Sequence, residues 1–277
     1  IGYQVLTNQT GVSGTVGNTA VGYHSSLGVT SGVRNTTLGA LSGQQIETGT
    51  DNIAIGYASM GSSDGDVGSS YNTFVGTYSG NGSWAGGNID KNTGIGYYAL
   101  GDGAMNGASD NTAVGYESLL NVTTGQYNVG MGSQSGRTLT TTTSTVLIGY
   151  QAGYGLNSTD ANGAVMIGFK AGSSATHPAG STLIGSGSGG QISTGDSNTI
   201  VGSTAGATIT SGGGNTVMGQ FAGGFSGAAL TGNYNTVLGY SAGQNLGGAA
   251  TENVFLGRNA GRDATTASGS TFLGQGA

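Results

Sequence analysis

The sequence predicts an all-β fold, a parallel β-solenoid (β-roll or β-helix), and three observations support this prediction. One short phrase, seen as DNTAVGYESLL at 110–120, recurs along the whole chain of 277 residues. Within each copy, a β-branched residue and an aliphatic or Met residue stand two positions apart, which is the spacing of side chains on one face of a strand. The composition of 60 Gly, one Pro and 6% charged residues is far from that of an ordinary helical or α/β domain. A fixed period of this length is typical of stacked repeats.

The copies align on a glycine that follows an aliphatic or Met residue and, in every copy but the first, precedes Ala or Ser by three positions. Sixteen such motif glycines are separated by 17 residues eight times, 20 four times, 19 twice and 18 once. We therefore expect sixteen repeats of 17–20 residues that form one continuous array over 1–277. The chain begins with IGYQ and ends with GQGA, both inside repeats. We expect the array to be a segment of a longer polypeptide.

The residues before each motif glycine predict a strand. A β-branched residue stands three positions ahead in all fifteen complete repeats, and Ile, Val, Leu or Met stands one position ahead. Residues two apart share a strand face, so these two columns are predicted to face a common core. The predicted core residues, called the aliphatic column, are Val21, Leu38, Ile55, Val75, Ile95, Val114, Met131, Ile148, Ile167, Ile184, Val201, Met218, Leu238, Leu256 and Leu273.

The residue between these two columns, called the central column, becomes bulkier and more apolar toward the C-terminus. It changes from Ala20 and Thr37 near the start to Phe255 and Phe272 near the end. A face open to water has no reason to become apolar, so we expect a second copy of the chain to cover it.

The motif glycine is expected to bend the backbone or to let a neighbouring coil approach, because it lacks a Cβ and tolerates positive φ. Ala or Ser three positions later fits a narrow space. Asn stands four positions before the glycine in eleven of fifteen complete repeats, where it can hydrogen-bond along a stack or cap a turn. The glycines singled out as turn residues are Gly22, Gly56, Gly115, Gly149, Gly202 and Gly239.

The eight to eleven residues between these conserved parts are rich in Gly, Ser, Thr, Asn and Asp and are predicted to be surface loops. Each repeat then forms one coil, stacked about 4.8 Å from the next. On this interpretation a coil has few bulky apolar side chains of its own. Several copies of the chain are therefore expected to share a core.

Composition also argues against several functions. The net charge is −6 and the six Lys and Arg are scattered, which disfavours nucleic acid as a partner. No apolar run is long enough to span a membrane, so no membrane insertion is expected. The chain has no Cys and lacks the glycine-rich phosphate-binding motifs. We expect no cofactor and no enzymatic activity.

The phrases NTAVGYHSSLG, NTTLGALSG, NIAIGYASMG, NTAVGYESLL and NTVLGYSAG resemble the short repeats of trimeric autotransporter adhesin heads and of related phage and viral fibre proteins. The resemblance covers nearly the whole chain, Ile1 to Ala277. It implies a left-handed parallel β-roll in which three chains lie side by side as an extracellular shaft or adhesive head. The coils are longer than those usual in adhesin heads, and Tyr often follows the motif glycine, as at Tyr97 and Tyr116. These departures favour a virion fibre over a bacterial surface adhesin.

Individual residues suggest few sites. Asp64 and Asp66 are weak candidates for a calcium ligand pair, although a solvated turn explains them as well. His24 and His177 are interpreted as exposed loop residues. Trp84, in the glycine-rich segment NGSWAGG, is the best single candidate for an exposed contact with a partner.

The predicted function is a non-catalytic structural and adhesive fibre that projects a receptor-binding region. The expected partners are copies of the chain and a glycan or protein receptor on a host surface. A glycan-binding or ice-binding solenoid is an alternative. Ice binding needs a Thr array that faces water, and here Thr alternates with Val and Ile in its column, which indicates an inward direction. A fibre-borne depolymerase would need clustered acids that the sequence does not show.

Overall fold

The computed structural model describes residues 1–10, 16–44, 46–61, 68–84, 87, 89–157, 161–225 and 228–277. In this part the protein is all-β and forms a parallel β-solenoid of about 14 turns without an α-helix. The chain divides into two compact units, Ile1–Thr141 and Thr142–Ala277. The described residues contain no helix with the length and apolar character needed to cross a membrane.

Fifteen strands of three residues each form the regular part of the solenoid. Those of the first unit are β1 (Thr19–Val21), β2 (Thr36–Leu38), β3 (Ile53–Ile55), β4 (Thr73–Val75), β5 (Thr93–Ile95), β6 (Thr112–Val114) and β7 (Val129–Met131). Those of the second unit are β8 (Val146–Ile148), β9 (Val165–Ile167), β10 (Thr182–Ile184), β11 (Thr199–Val201), β12 (Thr216–Met218), β13 (Thr236–Leu238), β14 (Val254–Leu256) and β15 (Thr271–Leu273).

Within each unit, every strand pairs in parallel with the strand of the next coil and in exact repeat register. In β6 and β7, for example, Thr112 pairs with Val129, and Val114 pairs with Met131. The predicted strand positions are therefore occupied by strands, one per coil.

The two faces of the strands are the reverse of the sequence interpretation. The central column points into the coil, and Ala54, Phe74 and Leu147 are fully buried. The prediction that the aliphatic column forms the core is wrong for the chain on its own, because an extended strand turns alternate side chains to opposite sides. Its exposed members are Leu38, Ile95, Met131, Met218, Leu238, Leu256 and Leu273. Its half-buried members are Val21, Ile55, Val75, Val114, Ile148, Ile167, Ile184 and Val201.

The growing bulk of the central column is explained inside the coil. A second interior position lies four residues after the motif glycine, and its size compensates for that of the central residue. Small Ala113 is matched by buried Leu119, whereas large Leu147 is matched by Gly153. A Cβ on Gly153 would lie 2.7 Å from Cδ2 of Leu147. The two positions share one space, so the trend along the central column does not require a second copy of the chain on that face.

The intervening segments also contribute to the core. Seven residues after the motif glycine, many coils carry an apolar side chain that is completely buried or nearly so, and the prediction of surface loops is wrong at this position. These residues include Val29, Ile46, Val122, Leu139, Leu156, Ile192, Ile209 and Leu246. Each coil therefore encloses more apolar volume than the repeat phrase indicates.

The motif glycines lie where the coils come closest. Gly115 has φ of +136°, and a Cβ at this position would lie 2.6 Å from the carbonyl oxygen of Gly132 in the next coil. The other singled-out turn glycines have φ between +128° and +140° and meet the same obstacle: Gly22, Gly56, Gly149, Gly202 and Gly239. Both the backbone conformation and the spacing between coils exclude a side chain.

The asparagines form buried ladders within each unit. Asn111 donates from its backbone N–H and from Nδ2 to Oδ1 of Asn92, at 3.0 and 3.1 Å, and also donates from Nδ2 to the carbonyl oxygen of Gly125 at 2.9 Å. Asn128 donates to Oδ1 of Asn111 in the same way. In the second unit the column holds Thr145, Ala164 and Ser181 before the ladder begins at Asn198. These asparagines link neighbouring coils and close the turn that precedes each strand.

Candidate functional site

The outer face of the strands is a surface that repeats along each unit. The β-branched column and the aliphatic column both lie on this face, and neither contains a charged residue. Leu38 is 48% exposed and Ile95 is 42% exposed in the first unit, and Leu238 is 42% exposed in the second. We call this surface the outer stripe. It is defined in each unit by the first and third residues of every strand.

Tyrosines that follow the motif glycines border the outer stripe. Tyr97 and Tyr116 stack with their ring centroids 5.5 Å apart and their planes at 7°, and Tyr150 and Phe169 stack at 5.4 Å and 17°. Stacking along successive coils turns ring faces toward each other and leaves the edges outside. The geometry favours an aromatic ladder beside the outer stripe over a row of open rings for sugar stacking.

The residue two positions after each motif glycine forms a corner of the coil in the left-handed conformation. Glu117 has φ of +51°, Lys170 of +54° and Phe221 of +60°, although none of them is glycine. At some of these corners the side chain meets side chains from the neighbouring coils, as Glu117 does with Arg137.

In the first unit this corner holds a neutralised charge pair. Oε2 of Glu117 accepts hydrogen bonds from Nε of Arg137 at 2.7 Å and from Nε2 of Gln134 at 3.0 Å. A small cavity of about 130 Å³ adjoins the pair and is also lined by Tyr98 and Asp102. Burial would raise the pKa of Glu117, but the hydrogen bonds from Arg137, Gln134 and Tyr116 outweigh it and lower the pKa below its usual value.

A second ion pair in the first unit lies at another left-handed position, five residues before the motif glycine. Nε and Nη2 of Arg34 both donate to the carboxylate of Asp51 in the next coil at 2.7 Å. This bidentate pair lowers the pKa of Asp51, chiefly through the hydrogen bonds from Arg34. It links two neighbouring coils at the protein surface.

The structure places the other predicted site residues as follows. Trp84 is 2% exposed, so the prediction of an exposed contact is wrong: the indole is buried within the chain. Asp64 and Asp66 lie outside the described residues. His24 is half-buried and stacks on Tyr23 with centroids 3.8 Å apart, and His177 is also half-buried, so neither is a freely exposed loop residue.

The described residues contain no candidate metal site. No three His, Cys, Asp or Glu side chains within them are grouped closely enough to hold an ion.

The chain was compared with known proteins. No protein-family model, no curated protein and no solved structure matches the chain.

Sequence reasoning missed two features of the site. The outer stripe was assigned to the interior because both strand faces are apolar in many coils. The Glu117–Arg137 pair was missed because its members are 20 residues apart, although this spacing, from the second position of one coil to the fifth of the next, is visible once the repeats are aligned.

Proposed function

We propose that the protein is a structural and adhesive fibre segment in which three copies of the chain associate side by side through their outer stripes. The segment holds a receptor-binding region away from a virion or cell surface and has no catalytic role. The observation that carries this proposal is the exposed, uncharged and regularly repeated outer stripe in each unit.

The size and composition of the stripe support association. Seven strands in one unit and eight in the other each turn a β-branched and an aliphatic side chain outward, and these side chains are exposed in some coils and half-buried in others. Together they form a continuous uncharged surface in each unit, on the order of several hundred Å², which is the size at which an exposed patch on a soluble protein is often an interaction site. Burial of such a surface contributes roughly 25 cal/mol per Å² before the costs of association.

The regularity of the stripe supports a copy of the same chain as its occupant. Its side chains recur at every coil, about 4.8 Å apart. A partner that matches all of them must carry the same spacing, and a second copy does so by construction. The absence of charges from the stripe avoids the repulsion that identical charged surfaces would produce in a symmetric assembly.

The number of copies and the setting rest on the sequence resemblance. Three chains, a left-handed β-roll and an extracellular location are properties that the resemblance to trimeric adhesin heads and viral fibres implies. The long coils and the tyrosines beside the stripe favour a virion fibre, and the head of a bacterial surface adhesin is the alternative.

The test is a mass measurement of the intact protein at micromolar concentration by sedimentation and native mass spectrometry. The parent is expected to be a trimer of the 26.9 kDa chain. The double variant Ile95→Asp, Leu238→Asp places a charge on the stripe of each unit and is expected to be monomeric with an unchanged circular dichroism spectrum.

The matched control is the double variant Ser144→Asp, Ser197→Asp. Both serines lie five residues before a motif glycine with φ of +58° and +55°, and Asp51 and Asp110 occupy the same position in other coils. This control adds the same charge away from the stripe and should remain trimeric. A folded parent that is monomeric at this concentration would contradict the proposal.

Ice binding is a second candidate, and the orientation of the strands favours it more than the sequence did. The β-branched column, which is mostly Thr, faces outward and is exposed at Thr19, Thr36, Thr199, Thr216 and Thr236. A regular outward Thr array is what an ice-binding surface needs. Thermal hysteresis of the purified parent, absent from a variant with Thr199 and Thr216 replaced by Lys, would support this function over the fibre.

A further inference from the structure

A groove of about 340 Å³ lies at the corner of three successive coils in the second unit. Phe221, Phe225 and Tyr240 line one part of it, and Gln244, Arg258 and Arg262 line another. The groove is the counterpart of the small cavity beside Glu117 in the first unit, because both lie around the left-handed corner that follows the motif glycine.

The aromatic part of the groove is built by mutual packing of the rings. The centroids of Phe221 and Phe225 are 4.6 Å apart, and those of Phe221 and Tyr240 are 6.0 Å apart in an edge-to-face arrangement. Phe225 and Tyr240 are both exposed. In contrast to the stacked Tyr97–Tyr116 pair, these tilted rings are not stacked face to face and leave ring surface open to a ligand.

The polar part of the groove carries two arginines, and among the described residues no carboxylate lies within ion-pair distance of either. The guanidinium carbon of Arg258 lies 5.9 Å from the centroid of Tyr240, and Arg262 stands four residues further along the same coil. Neither arginine forms an ion pair within the described ranges, where the charge pairs are Arg34–Asp51 and Arg137–Glu117. Two unpaired cations in one groove are notable in a chain with a net charge of −6.

In the first unit the arginine at the corresponding corner is paired with a carboxylate. Arg137 stands five residues after its motif glycine and pairs with Glu117, which stands two residues after the previous one. Arg262 occupies the same position as Arg137, but the residue that corresponds to Glu117 is Ser241. The second unit therefore has the arginine of this arrangement without its carboxylate.

We propose that this groove binds an acidic saccharide, a sugar that carries a carboxylate or a sulfate. Arginine forks suit both acid groups, exposed aromatic rings suit the apolar face of a pyranose, and the amide of Gln244 suits hydroxyl groups. Successive coils are about 4.8 Å apart, so three coils present these groups over about 10 Å. Nucleic acid fits less well, because a polyphosphate needs an extended basic surface and the chain is acidic overall.

This inference rests on the proposed function and specifies the receptor class of its adhesive part. In a trimer the groove would occur three times, and simultaneous engagement of several saccharides on one surface would strengthen attachment beyond the affinity of a single groove.

The experiment measures binding of defined tetrasaccharides to the full chain by isothermal titration calorimetry. A heparin-derived tetrasaccharide supplies sulfates, tetragalacturonate supplies carboxylates, and maltotetraose is the neutral reference. At least one acidic tetrasaccharide is expected to bind, and maltotetraose is expected to bind at least tenfold more weakly. The preferred acidic probe identifies the acid group.

Variants assign the binding to the groove. Arg258→Gln and Arg262→Gln should each weaken binding about tenfold, since each removes a charge-assisted hydrogen-bond donor. Tyr240→Ala should weaken it by a similar factor, whereas Tyr240→Phe should retain most of it. Ser241→Glu should abolish binding by pairing with Arg262, and the fold should accept it because Glu117 holds φ of +51° at the same position where Ser241 has +53°.

Arg137→Gln is the matched control, because it removes an arginine at the corresponding position of the first unit and should leave the affinity unchanged. Failure of both acidic probes to bind, equal binding of maltotetraose, or an unchanged affinity in Ser241→Glu would overturn the proposal. Displacement of the tetrasaccharide by inorganic sulfate together with full affinity in Tyr240→Ala would also overturn it, because the groove would then be a simple anion site. The mass of every sample is measured alongside: binding by a monomer would contradict the trimer and leave the groove intact.

Discussion

The ring of Phe74 occupies the space that a side chain at Gly80 would fill: a Cβ at Gly80 would lie 2.6 Å from Cγ of Phe74. In the coil of Ala113 the relationship is inverted, because Leu119 supplies the bulk from the second position. In most coils one of these two positions carries a large side chain and the other a small residue; where both are glycine, at Gly130 and Gly136, Leu119 of the preceding coil fills the space beside Gly130. This explains why the central column varies so widely while the strands remain in register.

Exchange of bulk between the two positions should therefore be tolerated. Phe74→Ala is expected to lower the free energy of unfolding by about 3–5 kcal/mol, because it empties a buried site. Adding Gly80→Leu should recover part of this loss, since Leu100 and Leu119 adopt φ of +51° and +48° at the same position. Urea unfolding of the parent, both single variants and the double variant measures the interaction free energy between positions 74 and 80.

The single variant Gly80→Leu serves as the control for this pair. With Phe74 present it overfills the coil and should destabilise the protein by at least about 1–3 kcal/mol. Additive effects of the two substitutions would show that the positions do not share one space.

A side chain at a motif glycine should be poorly tolerated. A Cβ at Gly149 would lie 2.5 Å from the carbonyl oxygen of Gly168, and φ is +129°. Gly149→Ala is therefore expected to cost at least about 2 kcal/mol of stability through strain and separation of the coils. Gly180→Ser is the matched control, because its nearest neighbour is 4.0 Å away and Ser197 occupies the same position in the next coil. Thermal unfolding that ranks the two variants equally would contradict this explanation.

The asparagine ladder should show a graded response. Asn111→Ala removes the acceptor for two N–H groups of Asn128 and the donor to Gly125, and should cost about 3 kcal/mol or more because buried polar groups lose their partners. Asn111→Ser should cost less, since Ser181 fills this column and its Oγ accepts from the backbone N–H of Asn198 at 3.1 Å. Urea unfolding measures both, and a serine variant no more stable than the alanine variant would argue against the ladder.

Substitutions at Ala152 and Ile148 should affect folding and self-association separately. Ala152 is completely buried, so Ala152→Asp places a charge in the interior and is expected to unfold the surrounding coils. Ile148 lies on the outer stripe, so Ile148→Asp should leave the circular dichroism spectrum intact and weaken only self-association. Sedimentation and circular dichroism of the two variants test this, and loss of fold in Ile148→Asp would place its side chain inside.

The Glu117–Arg137 pair gives a pH dependence of known sign. The pKa of Glu117 is lower in the folded protein than its ordinary value, so the pair stabilises the fold above about pH 4.3 and loses this effect as the pH falls through the folded pKa. Arg137→Gln should raise the pKa of Glu117, as measured by carboxyl ¹³C NMR. The stability difference from the parent should be constant at neutral pH and vanish at low pH. A difference that persists at low pH would show that Arg137 acts through packing alone.

The repeat, the strand positions and the role of the small residues could be predicted because they depend on local pattern. Every predicted strand triplet, such as Thr112–Val114, is a strand in the structure. The direction of the faces could not be predicted in this way, because period-two alternation does not say which of two apolar faces points inward. That choice depends on distant residues of the same coil, such as Leu119 and Val122, which complete the interior opposite Ala113.

The candidate sites depended even more on tertiary structure. Trp84 lies in a segment rich in glycine, and its composition indicates exposure although the ring is buried. Ser241 and Arg262 become informative only when compared with Glu117 and Arg137. This comparison requires the repeats to be aligned residue by residue at their corners, where side chains from successive coils meet.

The break in the asparagine ladder at Ala164 has a mechanical consequence. Coils stacked by bonds that run from one to the next carry tension in series, so a pull along the stack is limited by its weakest layer. In the second unit we expect that layer to be the one around Ala164, where the column four residues before the motif glycine has no amide side chain. Optical-tweezer extension should show the first rupture there, and Ala164→Asn should shift that rupture to higher force; an unchanged force would mean that backbone bonding alone sets the strength.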